Sequence, residues 1–145
     1  MAARGTRRIL RRLNEELKLP IYVLTDNDPW GFYIYSVIKQ GSINLAYEST
    51  RMAVPKARFL GLSSFDAEAF NLGANVSMAL KDEDRNRAEQ LMKYEWFADK
   101  RWQAELTQMK KTEKKYELEA LSSRGIRFIS EEYIPQKIKN RQWLD

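Results

Sequence analysis

Two aspartates spaced two residues apart are the side chains of this sequence best placed to do chemistry. Asp26 and Asp28 stand in the run DNDPWG, directly after the short apolar segment IYVLT (Ile21–Thr25). Such a run is typical of a buried parallel strand, and α/β proteins bind ligands at the carboxyl edge of such strands. Two ionised carboxylates repel each other, and Mg²⁺, which prefers carboxylate and phosphate oxygens, relieves that repulsion. The pattern therefore predicts a magnesium site for phosphoryl or phosphodiester chemistry.

Other interpretations of the pair stay open on spacing alone. Asp28 precedes Pro29, a favoured first residue of a helix, so its carboxylate equally fits a helix N-cap. Asp26 has no obvious local partner of that kind. A bare DxD also occurs in haloacid-dehalogenase-type phosphatases and in sugar-nucleotide transferases. The phosphatase pattern requires a small β-branched residue two places after the second aspartate, where this chain has Trp30, and this disfavours a phosphatase.

Composition narrows the possible chemistry further. The 145 residues include neither cysteine nor histidine, which excludes a disulfide framework, a thiolate zinc site and the commonest general base. Carboxylates, hydroxyls, lysines and a hard cation are left to carry any reaction. The chain is 43% hydrophobic and 31% charged, with both signs mixed, as expected for one globular domain rather than a disordered tail.

The sequence contains no segment that suggests contact with a membrane. No run approaches the roughly 20 apolar residues that span a bilayer. The basic start MAARGTRRILRRL is too poor in apolar residues for a signal peptide. We therefore expect a cytoplasmic protein, associated with the nucleoid in a prokaryote, or a nuclear protein in a eukaryote.

Basic residues are concentrated at the two ends of the chain. The net charge is +5; residues 1–20 carry six basic and two acidic groups, and residues 120–145 carry five and three. Clustered arginines suit a phosphate backbone, although a solvated helix face is the competing interpretation. The run from Lys110 to Lys115 is interleaved with glutamates and favours a solvated helix surface. The candidate DNA contacts are Arg7, Arg8, Arg11, Arg12, Lys56 and Arg58.

The elements that position the aspartates follow from hydrophobic periodicity and from turn residues. Strand, turn and helix around DNDPWG indicate one βα step of an α/β sheet. Aromatic residues at near-helical spacing, Trp96, Phe97 and Trp102, are expected in the core or an interface. The expected order is helix 6–18, strand 21–25, a helix from Pro29 ending before Gly41, strands 44–48 and 58–62, an irregular stretch 63–81, a helix from Asp82, helices 96–111 and 113–123, a short strand 127–129 and a closing helix capped by Ser130.

Beyond the DxD, the sequence resembles the Toprim region of the A subunit of DNA topoisomerase VI and of its relatives, the meiotic double-strand-break transesterases. The resemblance runs through most of the chain, and its combined motifs are far more specific than the DxD alone. The segments that carry it are RGTRRILRRL (Arg4–Leu13), TDNDPWGFYIYSVIKQGS (Thr25–Ser42), LAYES (Leu45–Ser49), AVPKARFLGL (Ala53–Leu62), YELEALSS (Tyr116–Ser123) and FISEEYIP (Phe128–Pro135).

This resemblance implies part of a type IIB topoisomerase. In that family a dimeric A subunit breaks double-stranded DNA through a tyrosyl–DNA bond, and a B subunit hydrolyses ATP to drive strand passage, giving relaxation and decatenation. The Toprim domain of the family holds Mg²⁺ with one glutamate and the two DxD aspartates. Residue by residue, the aspartates carry over to Asp26 and Asp28, so the resemblance implies Mg²⁺ as the cofactor.

Two features of the family find no match in this sequence. The family's metal-binding glutamate belongs to a strand before the first helix, and Glu15 and Glu16, on the helix itself, do not match its motif. The cleaving tyrosine belongs to a winged-helix domain earlier still. None of the seven tyrosines matches its motif, and Tyr33 and Tyr35 are expected to pack the helix after the DxD.

The fold expected from the resemblance is therefore a truncated Toprim-like α/β domain. Residues 1–145 would form a single domain with a mainly parallel sheet flanked by helices, a helical C-terminal half and no first strand. The winged-helix catalytic domain would be absent. A protein of a different class stays open as the alternative: a stand-alone, non-catalytic Toprim-derived protein that binds DNA or a partner protein.

We predict that this polypeptide alone does not cleave DNA, because no residue matches the cleaving tyrosine or the metal-binding glutamate. Supercoiled DNA incubated with the chain and Mg²⁺, then quenched with detergent, should contain no protein-linked breaks. A metal-dependent covalent DNA–protein adduct formed by the chain alone would contradict this expectation.

Overall fold

The computed structural model of the chain describes residues 4–41 and 53–145. The predicted strand over 44–48 lies outside these residues. No helix within the described ranges combines the length and apolar character that crossing a membrane requires. The helices are α1 (Arg4–Glu16), α2 (Pro29–Gln40), α3 (Asp66–Ala69), α4 (Asp82–Met92), α5 (Lys100–Thr112), α6 (Glu119–Ser122) and α7 (Ile134–Lys139), and the strands are β1 (Tyr22–Leu24), β2 (Arg58–Gly61), β3 (Ser77–Ala79) and β4 (Lys114–Tyr116).

A small parallel sheet forms the centre of the α/β fold, as predicted. Strand β1 pairs in parallel with β2, with Val23 opposite Phe59. The pairing continues past the strands, since Thr25 and Leu62 donate backbone hydrogen bonds of 2.9 Å to the carbonyls of Gly61 and Thr25 respectively. At the other edge of β2, Leu144 exchanges two backbone hydrogen bonds of 2.8 and 2.9 Å with Phe59. The end of the chain thus covers an edge of the sheet that would otherwise expose unpaired backbone groups.

A second, antiparallel sheet joins β3 to β4, and the sequence pattern predicts neither strand. The expected helix over 113–123 is confirmed only at α6 (Glu119–Ser122) and is wrong before it: Glu113 adopts a left-handed conformation with φ of 55° and ends α5, after which β4 begins. The alternating charges of KKTEKKYELE resemble an exposed helix, but pairing with a distant strand decides the conformation. The stretch 63–81, expected to be irregular, contains β3 as well as the short helix α3.

Two further expectations about the C-terminal half need correction. The short strand over 127–129 is absent: Phe128 leads into a π-helical turn (Ile129–Tyr133) that continues into α7. Ser130 lies inside that turn and caps nothing. A short apolar run cannot be assigned to strand or helix by periodicity alone, and here Phe128 and Tyr133 pack into a second hydrophobic cluster. The helix expected over 96–111 begins at Lys100, where Asp99 caps it by accepting a 2.8 Å bond from the backbone N–H of Arg101.

The main core is built around Trp102 on α5, which is 1% exposed. Four aromatic rings surround its indole at centroid distances of 5.0 to 5.5 Å. They come from α2, β2 and the turn before α5: Phe32, Tyr35, Phe59 and Phe97. Edge-to-face and offset contacts of this kind add to the free energy of burial. This packing fixes α5 against the parallel sheet, and it confirms that Phe97 and Trp102 belong to the core.

A buried polar cluster joins the sheet to α7. Asp66 is 4% exposed and accepts hydrogen bonds from the Tyr133 hydroxyl, the Lys137 ammonium at 2.9 Å and the Ser63 backbone N–H at 2.8 Å. Gly61 makes room for it, because a Cβ there would lie 1.9 Å from the Tyr133 hydroxyl oxygen. Burial, followed by the charge of Asp66, raises the pKa of Tyr133 above its ordinary value, so the phenol stays protonated and donates.

Replacing Lys137 with methionine is predicted to lower the free energy of unfolding by about 3–5 kcal/mol, because it leaves the Asp66 carboxylate buried without its cation. Denaturant unfolding of the chain measures this directly. Lys110→Met is the matched control: its partner Glu89, 3.1 Å away, is 55% exposed, and an exposed pair contributes about 0–1 kcal/mol. Equal losses in the two variants would show that the buried pair is not important for stability.

Candidate metal centre

The segment from Asp26 to Asp28 is held between the two sheets. The backbone N–H of Asn27 donates to the Tyr116 carbonyl at 2.8 Å, and the Tyr116 N–H donates back at 3.1 Å. This pairing gives the segment an extended conformation, in which successive side chains project to opposite faces. The carboxylates of Asp26 and Asp28 therefore share one face, and the Asn27 amide takes the other.

One carboxylate oxygen of each aspartate accepts a hydrogen bond from a backbone N–H. Asp26 Oδ1 accepts from the N–H of Leu118 at 2.8 Å, just beyond β4. Asp28 Oδ1 accepts from the N–H of Gly31 at 2.6 Å and caps α2, so the N-cap interpretation is confirmed. Within the described residues, the second oxygen of each carboxylate has no hydrogen-bond partner. Asp28 therefore caps the helix and still has an oxygen available to a ligand.

Gly31 allows the first turn of α2 to start directly over this segment. A Cβ at that position would lie 2.2 Å from the Asp26 carbonyl oxygen and 2.8 Å from Thr25 Oγ1. Any side chain would therefore push the helix away from the aspartates. The N-terminus of α2 carries partial positive charge, which favours an anionic group beside the carboxylates.

The electrostatics of the pair are unfavourable in the absence of a cation. Burial, and then repulsion from Asp26, raises the pKa of the Asp28 carboxyl, although the hydrogen bond from Gly31 opposes the shift. The charge of Lys115 also lowers the pKa of Asp28. A raised pKa means that the ionised form costs folding free energy, as is common at sites shaped for binding rather than for stability.

Lys115 is the neighbour that the sequence does not reveal. The charge pattern predicts a solvated helix surface for it, but it lies on β4, and its ammonium is 2.7 Å from Asp84 Oδ2. Burial alone would raise the pKa of Asp84, but hydrogen bonds from Lys115 and the Lys81 backbone hold it below its ordinary value. The pair brings two opposing charges near Asp28: that of Lys115 lowers its pKa, and that of Asp84 raises it. The acidic first turn of α4 gives a partial signal through Asp84, whereas only the β3–β4 pairing brings Lys115 to it.

The donor set fits a hard divalent cation with two protein ligands. Both free atoms are carboxylate oxygens, and Mg²⁺ is commonly held by one or two carboxylates while water and phosphate oxygens complete its shell. Across residues 4–41 and 53–145, no group of three or more acidic side chains is close enough to hold a metal ion. Asp26 and Asp28 are therefore the candidate ligands that this part of the chain offers.

The candidate DNA contacts differ widely in their exposure to solvent. On α1, Arg7 is 3% exposed, Arg11 is half-buried, and Arg8 and Arg12 are exposed. Arg11 and Arg12 form ion pairs with Glu15 and Glu16 one turn later. The carboxylates of these glutamates are therefore engaged within α1.

Lys56 and Arg58 lie at the opposite end of the parallel sheet from the aspartates. Arg58 pairs with Tyr22 at the start of β1, which places it about 13 Å along the strand from Asp26. Its guanidinium packs over the Trp143 ring at 4.5 Å. Lys56 is exposed and lines a 210 Å³ hollow with Lys18 and Arg58. Neither residue can contact a phosphate bound between Asp26 and Asp28.

Comparison with known proteins identifies the family of the chain. Residues 1–138 match the family described as the Toprim domain of Spo11 and of the topoisomerase 6 A subunit. The chain is 45% identical over 151 aligned residues to the A subunit of type 2 DNA topoisomerase 6 from Hyperthermus butylicus, covering 98% of this chain and 39% of that protein. The same protein of Saccharolobus shibatae is 47% identical over 152 residues, covering 97% and 39%. Meiotic recombination protein SPO11-1 of Oryza sativa subsp. indica is 44% identical over 136 residues, covering 92% and 36%.

The α/β fold and the family match together identify a Toprim-type domain. More particularly, the chain belongs to the Toprim domain family of topoisomerase 6 A subunits and Spo11. It spans about two fifths of the length of the curated relatives it matches.

Replacing Asp28 with asparagine is predicted to raise the free energy of unfolding at pH 7. The amide still caps α2, and it removes a carboxyl whose raised pKa makes ionisation unfavourable in the fold. Because the folded-state pKa exceeds the unfolded one, the wild type loses stability as the pH rises through the folded value. The gain of Asp28→Asn should therefore vanish below the unfolded pKa. Urea unfolding of the wild type and of Asp28→Asn measures the gain at pH 7 and its loss at pH 3.

Asp28→Ala is the control for this experiment, because it removes the charge and the cap together. We expect it to be about 0.5–2 kcal/mol less stable than Asp28→Asn. A variant Asp28→Asn that is less stable than the wild type at pH 7 would contradict the assigned electrostatics.

Proposed function

We propose that this chain is the magnesium-binding Toprim portion of the DNA-cleaving A subunit of an ATP-dependent type IIB DNA topoisomerase. One observation carries the proposal: each of two neighbouring carboxylates presents a free oxygen at the end of a parallel strand, in a chain that belongs to the Toprim family of topoisomerase 6 A subunits and Spo11. The relatives' own names supply the remainder, since they describe part of a DNA topoisomerase and a recombination protein.

The residues of this chain would contribute positioning and charge rather than a nucleophile. Asp26 and Asp28 would hold Mg²⁺, which when bound neutralises charge on the scissile phosphate and lowers the barrier to its transesterification. The backbone pairing of Asn27 with Tyr116 fixes the direction of both carboxylates. The N-terminus of α2, closed over them at Gly31, adds a favourable potential for a phosphate.

The partners in this proposal are double-stranded DNA, an ATP-hydrolysing B subunit, and a second copy of the A subunit. Together they would break, pass and rejoin both strands, which relaxes and decatenates DNA. Among the candidate DNA contacts, Arg8, Arg12 and Lys56 are the ones exposed to a phosphate backbone, so they are favoured over the buried Arg7. Charge-assisted contacts of this kind position DNA without reading its sequence.

Mg²⁺ binding by the chain is the first test of this proposal. Isothermal titration calorimetry should detect a single site that is weak, because only two protein carboxylates serve it. Asp26→Asn and Asp28→Asn should each weaken binding by at least about tenfold. Asp82→Asn is the matched control, because the Asp82 side chain is 94% exposed in an ion pair with Arg85. The affinity of this variant for Mg²⁺ should equal that of the wild type.

Alanine substitutions at the same two positions test the activity in a full-length cleaving protein that carries this chain, assembled with its ATP-hydrolysing partner. Asp26→Ala and Asp28→Ala should lower the rate of Mg²⁺- and ATP-dependent decatenation by about 100-fold or more, while Asp82→Asn leaves the rate unchanged. Full decatenation activity in a variant that carries both Asp26→Ala and Asp28→Ala would refute the proposed role. Binding of DNA by the chain without any metal dependence would instead favour the non-catalytic binding protein.

A further inference from the structure

The face of the DxD segment opposite the carboxylates is anchored by a buried amide. Asn27 is 1% exposed, and its Nδ2 donates to the Leu62 carbonyl at 3.0 Å and to Ser64 Oγ at 3.2 Å. Both hydrogens of the amide are therefore used. Since Asn27 stands between Asp26 and Asp28, its anchored side chain acts together with the backbone pairing to Tyr116 in holding the segment that carries the two carboxylates.

The Ser63–Ser64 turn that receives this amide is itself held by Glu105 on α5. Glu105 Oε2 accepts from the Ser64 backbone N–H at 2.7 Å, and Oε1 accepts from the Ser63 hydroxyl. Helix α5 is fixed in the main core by Trp102, Leu106 and Met109. A continuous chain of hydrogen bonds thus runs from the core helix, through the turn, to the residue between the aspartates.

Glu105 is costly for the fold, which argues that its position serves something else. It is 5% exposed, and no basic side chain among the described residues forms a salt bridge with it. An uncompensated buried carboxyl is unfavourable, and burial accordingly raises the pKa of Glu105 despite its bonds to the two serines. The other buried residues of α5 are Trp102, Leu106 and Met109, and an apolar side chain at this position would avoid the cost.

A neighbouring cluster holds the same turn at a second point. Ser63 N–H also donates to Asp66, whose carboxylate is compensated by Lys137. We call this set of hydrogen bonds the Asp66 arm; it connects the turn to Lys137 on α7 and does not involve Asn27. The Glu105 arm differs because it ends on the side chain between the two candidate metal ligands.

We propose that Glu105 is a positioning residue for the metal centre, acting through Ser64 and Asn27 to hold the carboxylates of Asp26 and Asp28 in place. This inference rests on the proposed function for the identity of the ligand. Its physical reason is that groups behind a metal's direct ligands orient them, and their loss typically lowers metal affinity by about 10- to 100-fold.

The experiment compares two breaks in this chain of hydrogen bonds with a break in the neighbouring arm. Ser64→Ala removes only the hydroxyl that accepts from Asn27, and Glu105→Ala removes both carboxylate acceptors. Tyr133→Phe is the matched control, because it removes one donor to Asp66 and leaves Asn27 untouched. Glu105→Gln retains one oxygen acceptor, so its Mg²⁺ affinity should lie between those of the wild type and Glu105→Ala.

Two measurements are made on each variant of the chain: Mg²⁺ affinity by calorimetry and hydrogen–deuterium exchange of residues 26–31. We expect Ser64→Ala and Glu105→Ala to weaken Mg²⁺ binding by about tenfold or more. Exchange over 26–31 should accelerate while exchange in α5 is unchanged. Tyr133→Phe should lower stability without changing either quantity. If Glu105→Ala does not fold, Ser64→Ala decides the question alone.

The outcomes separate this inference from the proposed function. If Asp26→Asn and Asp28→Asn abolish Mg²⁺ binding but Ser64→Ala and Glu105→Ala leave affinity and exchange at wild-type values, the positioning role of Glu105 is refuted. Equal changes in Tyr133→Phe would also refute it, because they would reflect stability in general. If the wild type binds no Mg²⁺, the proposed function fails for this chain, and the exchange of residues 26–31 still decides whether Glu105 holds the segment.

Discussion

The backbone pairing of Asn27 with Tyr116 is the interaction on which the candidate site depends. It joins the end of the parallel sheet to β4 through two hydrogen bonds of 2.8 and 3.1 Å. Without it, the segment from Asp26 to Asp28 would be a surface turn, and its carboxylates would have no common direction. With it, the segment becomes extended, and alternation places both aspartates on one face and the asparagine amide on the other. Residues 92 positions apart then meet, as Leu118 donates its N–H to Asp26.

Stability and binding make opposite demands on this part of the molecule. Two neighbouring carboxylates, a pKa of Asp28 raised by burial and a buried Glu105 without a cation all lower the stability of the fold. The aromatic cluster around Trp102 and the compensated pair of Asp66 and Lys137 offset that cost elsewhere. Under the proposed function these acids serve the binding of Mg²⁺ and the positioning of its ligands, a role that apolar substitutes, although more stable, could not fill.

The distribution of charge separates two regions of the described chain. The aspartates, Asp84 and Lys115 form a compact electrostatic group at the carboxyl end of β1. Exposed basic groups such as Lys56 lie at the other end of the sheet or on α1. Under the proposed function, the first region would hold the metal ion and the second would contact a DNA phosphate backbone.

Much of this protein was determined by local sequence. The apolar run before DNDPWG predicted β1, Asp28 and Pro29 predicted the start of α2, and Gly41 its end, because capping and turn residues act over a few positions. The family likewise followed from motifs in the chain. Tertiary structure alone decided that Lys114–Tyr116 forms a strand, that Lys115 is paired with Asp84 and that Arg7 is buried. It also decided that Ser64 and Glu105 stand behind Asn27. The hydrogen bonds among these residues join positions 31 to 41 apart, and no local pattern records a partner at that distance, since the free energy of such contacts belongs to the assembled core.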